Sequence, residues 1–132
     1  MPKIMIVDDD RTTAMLLQTL LSIDGFEVCL VGRGKEVLAR ARQEHPDIFL
    51  IDYHLADSEG PEVVRNLRQD PEFAVTPIVI ASGMNVEEEA TAAGASLFLI
   101  KPLDPGDLAS ILHSLLQASA RQASADHNPS SP

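Results

Sequence analysis

Residues 47–52 read Asp47-Ile48-Phe49-Leu50-Ile51-Asp52, four apolar side chains in a row with an acid at each end. Pro46 precedes the run, and Gly60-Pro61 follow it closely. A short apolar run bounded by turn signals reads as a strand buried on both faces. Asp52 therefore stands where a buried strand leaves the core and meets water. Taken alone, it is an ordinary strand-end acid.

Working outward from this run, Lys3-Ile4-Met5-Ile6-Val7 is a strand of the same kind, and it ends in Asp8-Asp9-Asp10. Ala14, Leu17, Leu20 and Leu21 fall on one face of a helix over residues 11–24, which Gly25 stops. Residues 26–31 form a second strand, and the charge at Glu27 marks a more exposed, edge position. Gly34 opens a helix over residues 35–44 with Val37, Leu38 and Ala41 inward. Beyond the central strand comes a loop over residues 53–60, then a helix with Pro61 at its first position and Val63, Val64 and Leu67 toward the core, broken at Asp70-Pro71. Ile78-Val79-Ile80-Ala81-Ser82 is a fourth strand and Leu97-Phe98-Leu99-Ile100 a fifth, ending at Lys101-Pro102. The helix between them, over residues 83–94, is weak: Glu87-Glu88-Glu89 and Ala90, Ala92 and Ala93 offer little apolar surface. Asp104 caps the last helix, on which Leu108, Ile111, Leu112, Leu115 and Leu116 repeat at i, i+3, i+4, i+7 and i+8. Residues 119–132 are rich in Ser, Ala and Pro without an apolar period, and read as a disordered tail or the start of a linker after a domain over residues 1–118.

Five strands alternating with helices imply an α/β fold, a parallel sheet covered on both faces. In such sheets ligands bind outside the carboxyl ends of the strands, at the switch point. Asp8, Asp9, Asp52, Ser82 and Lys101 all lie at those ends, on the first, third, fourth and fifth strands.

Composition narrows the chemistry. The net charge of −10 and pI near 4.6 argue against a nucleic-acid surface, which needs Lys/Arg patches, and allow a carboxylate-rich cation site. No run approaches a membrane span and the N-terminus lacks signal-peptide layout, so the cytoplasm is the expected compartment. Cys29, the only cysteine, excludes an intramolecular disulfide and sits in an apolar run, as a small buried hydrophobe. Three adjacent carboxylates stay ionised only if a cation joins them, and hard oxygen ligands suit Mg2+. Beside such an ion, Asp52 can accept a phosphoryl group in line, giving an acyl phosphate whose oxygens find donors in Mg2+, the Lys101 ammonium and the Ser82 hydroxyl.

These marks resemble the receiver domain of two-component response regulators. The resemblance covers residues 3–117 and rests on Ile-Val-Asp8-Asp9-Asp10, on Asp52 with Gly60 eight residues on, on Ile-Val-Ile-Ala-Ser82-Gly83, and on Phe98-Leu-Ile-Lys101-Pro102. It implies a flavodoxin-like, doubly wound (βα)5 fold with five parallel strands in the order 2-1-3-4-5. It implies that Asp52 accepts phosphate from a phosphohistidine on a histidine kinase or histidine phosphotransfer protein. Asp9, Asp52 and the backbone carbonyl of His54 would ligate Mg2+ directly, and Asp8 through water. Ser82 would swing toward the phosphoryl group, Phe98 would turn inward behind it, and the face of the fourth helix, fifth strand and fifth helix would select an output domain or protein. Such a protein is not an enzyme beyond phosphorylating and dephosphorylating itself, and its Lys101-Pro102 bond is expected to be cis. His54-Leu55-Ala56 stands where the family has Met-Pro, which loosens that loop, and apolar Met84 is expected to slow loss of the phosphoryl group. The span from Ser82 to Lys101 is also shorter than usual.

Two other readings compete. Asp8-x-Asp10-x-Thr12 after an apolar strand matches the nucleophile motif of haloacid-dehalogenase-like phosphatases, with Asp8 phosphorylated, Asp10 the general acid, and Ser82 and Lys101 binding phosphate. That scheme leaves Asp52 without a task. The other is a pseudo-receiver that only binds a partner, against which the intact set of acids, hydroxyl and lysine argues.

Overall fold

The computed structural model describes residues 1–126. The strands are β1 (Lys3–Val7), β2 (Glu27–Val31), β3 (Ile48–Asp52), β4 (Ile78–Ser82) and β5 (Leu97–Ile100). The helices are α1 (Arg11–Ile23), α2 (Val37–Glu44), α3 (Gly60–Gln69), α4 (Glu87–Ala93) and α5 (Pro105–Asp126). The strands form one parallel sheet in the order β2-β1-β3-β4-β5, as the sequence predicts. β2 is an edge strand, consistent with its exposed Glu27. The chain leaves β1 toward β2 and returns to the other side of β1 as β3, so the switch point lies between β1 and β3.

The two faces of the sheet carry separate cores. Ile4, Ile6, Ile48, Leu50, Val79 and Ala81 point to one side, against Leu17 and Leu21 of α1 and Leu108 and Leu112 of α5. Met5, Val7, Phe49, Ile51, Ile78 and Ile80 point to the other, against Val37, Val64, Leu67 and Ala90 from α2, α3 and α4. This is the two-residue alternation of a strand acting on runs that are apolar at every position.

The boundaries carry their own reasons. The Asp10 carboxylate caps α1, accepting from the Thr13 amide and, at 2.8 Å, from the Thr13 hydroxyl. Asp104 caps α5 by accepting from the amides of Gly106 and Asp107. α4 is shorter than the helix read over residues 83–94: it spans seven residues, buries only Ala90 and Ala93, and stops at Gly94 with φ +111°. In place of a first turn, the Ser82 and Asn85 side chains accept from the amides of Met84 and Glu87. The Arg68 guanidinium holds the far end of α4 in place, donating to the carbonyls of Phe73, Thr76 and Gly94 and to Ser96 Oγ.

α5 corrects one expectation. Residues 119–126, read as the beginning of a tail or linker, are helical. The missing apolar period removes packing information, but alanine favours helix on its own. The remainder of that predicted tail, residues 127–132, lies outside the described residues.

Candidate functional site

Strand parity brings the polar ends together. The ladder continues past the named strands, since the Asp8 amide donates to the Val31 carbonyl, that of Tyr53 to Ala81 and that of Lys101 to Ser82. Asp8 lies two residues beyond Ile6, Asp52 two beyond Leu50 and Lys101 two beyond Leu99, all of which face α1 and α5. The three side chains therefore leave the sheet on that same side. Asp8, Asp9 and Asp52 each offer one carboxylate oxygen within 4.8 Å of the others. Lys101 Nζ sits 3.1 Å from Asp52 Oδ1.

Beneath the carboxylates lies an apolar cavity of about 460 Å3 whose walls include Ile6, Leu17, Leu50, Ala81 and Leu103. Asp8, Asp52 and Lys101 line the same cavity, and Asp8 is 7% exposed. Burial pushes the Asp8 carboxyl above its ordinary value; the Asp10 amide it accepts from pulls the other way, and the Asp52 charge adds to the rise. Asp10, by contrast, is turned away to Thr13, whose hydroxyl holds its carboxyl below the usual range. An acid occupied in capping α1 is poorly disposed to act as the general acid of a phosphatase.

The other predicted residues sit differently. Ser82 lies two beyond Ile80, so it belongs to the face that carries α3 and α4. It is 1% exposed and its hydroxyl accepts from the Met84 amide; no hydrogen bond joins that hydroxyl to the side chain of Asp52 or Lys101. Phe98 packs half-buried on the same face, its backbone in register with Ile80. The Lys101-Pro102 peptide is cis. The His54 ring reaches Glu59, with Nδ1 3.1 Å from Oε2, and the two residues form an antiparallel bridge.

That bridge closes the loop that the sequence reading expected to be loosened by the missing Met-Pro. The Leu55 amide donates to the Ser58 carbonyl and the Gly60 amide to the Tyr53 carbonyl, while Leu55 is buried. Gly60 must be glycine for steric reasons: a Cβ there would meet the Asp52 carbonyl oxygen at 2.7 Å and Tyr53 Cα at 3.0 Å. An acid–acid–lysine cluster at a switch point, three hard oxygen donors with an ammonium against one of them, suits a divalent cation together with a phosphoryl group.

The family model described as response regulator receiver domain matches residues 4–113. The phosphate regulon transcriptional regulatory protein PhoB of Rhizobium meliloti is 32% identical over 120 residues, covering 89% of this chain and 53% of that protein. The chain thus spans about half the length of that relative. The polar-differentiation response regulator DivK of Brucella ovis is 30% identical over 103 residues, covering 76% of this chain and 84% of its own. Among solved structures, the chemotaxis response regulator CheY4 of Vibrio cholerae superposes with a TM-score of 0.82 at 28% identity, covering 87% of this chain and 98% of that one.

Proposed function

This chain belongs to the response regulator receiver domain family, and on that footing we propose that it takes a phosphoryl group from a phosphohistidine onto Asp52 and thereby switches a partner-binding surface. The observation that carries the reading is the convergence of Asp8, Asp9 and Asp52 within 4.8 Å, with the Lys101 ammonium 3.1 Å from Asp52. An Asp52 oxygen attacks phosphorus, the bond from phosphorus to the histidine ring nitrogen breaks, and its electron pair returns to the imidazole. The product is an acyl phosphate.

Asp9, Asp52 and the His54 carbonyl would hold Mg2+ directly, and Asp8 through water. When bound, the ion supplies positive charge that screens the carboxylates against the incoming phosphoryl oxygens. Lys101 exchanges its contact with Asp52 for one to a phosphoryl oxygen. Ser82 releases the Met84 amide and donates its hydroxyl proton to another oxygen, which moves the loop before α4. Phe98, on the face Ser82 belongs to, fills the space behind it. These shifts reshape the α4–β5–α5 face on which an output domain or protein reads the signal. Donor and reader are a histidine kinase or phosphotransfer protein and an output partner, as response regulators use. Among the described residues no helix is long and apolar enough to cross a membrane.

The test is incubation with Mg2+ and a small acyl phosphate. Wild-type protein gains the mass of one phosphoryl group, and Asp52→Asn gains none. Loss of labelling in Asp8→Asn alone, with Asp52→Asn still labelled, overturns the reading in favour of the phosphatase scheme. Absence of both labelling and a beryllofluoride-induced NMR shift in the wild type leaves only a partner-binding module.

A further inference from the structure

The loop after Asp52 is Tyr53-His54-Leu55-Ala56-Asp57-Ser58-Glu59-Gly60, and it contains no proline to stiffen it. Its order has to come from contacts, and its tip is held from outside. Asp57 Oδ1 accepts from the Gly34 amide at 2.9 Å and Oδ2 from the Lys35 amide at 3.1 Å. One carboxylate thus takes two adjacent backbone donors at the start of the 3-10 turn Gly34–Glu36 that leads into α2. Ser58 Oγ donates back to Asp57 Oδ1 at 3.3 Å. The packing is equally close: a Cβ on Gly34 would overlap Ser58 Oγ and come within 2.9 Å of Val63 Cγ2 and 3.3 Å of Leu55 Cδ1. Because the tip is fastened to a second loop, the hairpin-like bridge from His54 to Glu59 lies between two anchors, this one and the Gly60 amide on the Tyr53 carbonyl.

We propose that Asp57 is a positioning residue: by clamping the tip of the loop onto the amides of Gly34 and Lys35, it holds the His54 carbonyl at the spacing Mg2+ requires. The inference rests on the receiver reading above. Asp57 touches no reacting atom. It acts through the backbone of residues 54–56, limiting how far that carbonyl can move from the Asp9 and Asp52 carboxylates. A rigid cage matters for this ion in particular. Mg2+ demands short, near-octahedral oxygen ligation, whereas Ca2+ accepts longer and more variable distances. A slack loop therefore weakens Mg2+ and leaves Ca2+ nearly unaffected. Outer residues that orient metal ligands typically contribute about 10- to 100-fold in affinity.

The chain has one tyrosine, Tyr53, next to Asp52, and no tryptophan, so tyrosine emission reports on the site directly. Titrations with Mg2+ and with Ca2+ are run on the full chain for wild type, Asp57→Asn and Asp57→Ala. Asp57→Ala loses both acceptors and is expected to bind Mg2+ about tenfold more weakly with little change for Ca2+. Asp57→Asn, whose single amide oxygen still accepts from one of the two amides, falls between. Equal losses for both ions would mean general loosening rather than cage geometry and would overturn the proposal, as would unchanged Mg2+ affinity in both variants. A wild type that binds no Mg2+ at all refutes the receiver reading and takes this inference with it.

Discussion

Replacing Asp8 by asparagine should stabilise the protein in the absence of divalent metal and remove most of the stabilisation that Mg2+ confers. Asp8 is 7% exposed and has a carboxylate oxygen within 4.8 Å of both Asp9 and Asp52. Two unit charges at that separation repel by about 1 kcal/mol in a water-like medium and by about 3.5 kcal/mol at an effective dielectric near 20. Lys101 offsets part of this, and the Asp10 amide still finds an acceptor in the asparagine oxygen. The net expectation is a gain on the order of 1–2 kcal/mol without metal. Its pH dependence has a definite sign. The folded state binds the Asp8 proton more tightly than the unfolded chain, so stability is lost as pH rises from the ordinary carboxylate value of 3.8 through the raised one. The advantage of Asp8→Asn should therefore vanish at acid pH and be full at neutrality. With Mg2+ at a hundred times its dissociation constant, wild type gains about 2.7 kcal/mol, and the variant gains far less. Urea unfolding in EDTA and in Mg2+ at neutral pH measures both. The order of stabilities should reverse between the two conditions. A variant less stable than wild type in EDTA, or stabilised by Mg2+ to the same extent, would refute the electrostatic reasoning.

Gly60→Ala places a Cβ against the backbone of the residue that carries the acceptor carboxylate, with no flexible side chain to give way. It should cost about 1–3 kcal/mol, read by urea unfolding, and a variant within about 0.5 kcal/mol of wild type would show that the loop shifts freely. Arg68→Met leaves the carbonyls of Phe73, Thr76 and Gly94 without their shared donor. A loss of about 2–4 kcal/mol is expected from unsatisfied groups of this kind, with faster amide exchange at the C-terminal end of α4. The Glu72 amide and then the Arg42 guanidinium hold the Asp70 carboxyl below its ordinary value of 3.8. That contribution is present in full above 3.8 and disappears as pH falls through the lowered value, so the deficit of Asp70→Asn at neutral pH should close in acid. Met84 is 64% exposed two residues past Ser82. Met84→Glu should speed loss of the phosphoryl group, and a decay time course no faster than wild type would count against a shielding role.

Much of the fold was legible because the apolar runs are short and clearly punctuated. Glu27 alone was enough to put β2 at an edge. The meeting of Asp8, Asp52 and Lys101 was legible too, since each sits at a strand end, and the two-residue alternation assigns them one side. The same alternation assigns Ser82 the opposite side, so its hydroxyl is engaged with Met84 rather than Asp52. α4 and α5 were read less well for a shared reason. Where alanine dominates, no apolar stripe marks a boundary: the first helix came out shorter than its expected span and the second longer. Asp57 escaped notice because its partners lie 23 and 22 residues away in another loop, and only the folded chain reveals that contact.

The two cores drawn by the sheet have no buried side chain in common. Leu17, Leu50 and Leu112 sit on one side of a partition, and Phe49, Val64 and Ile80 on the other. A substitution that repacks one layer therefore reaches the other only through the five strands they share, so the two halves of the interior can change volume independently.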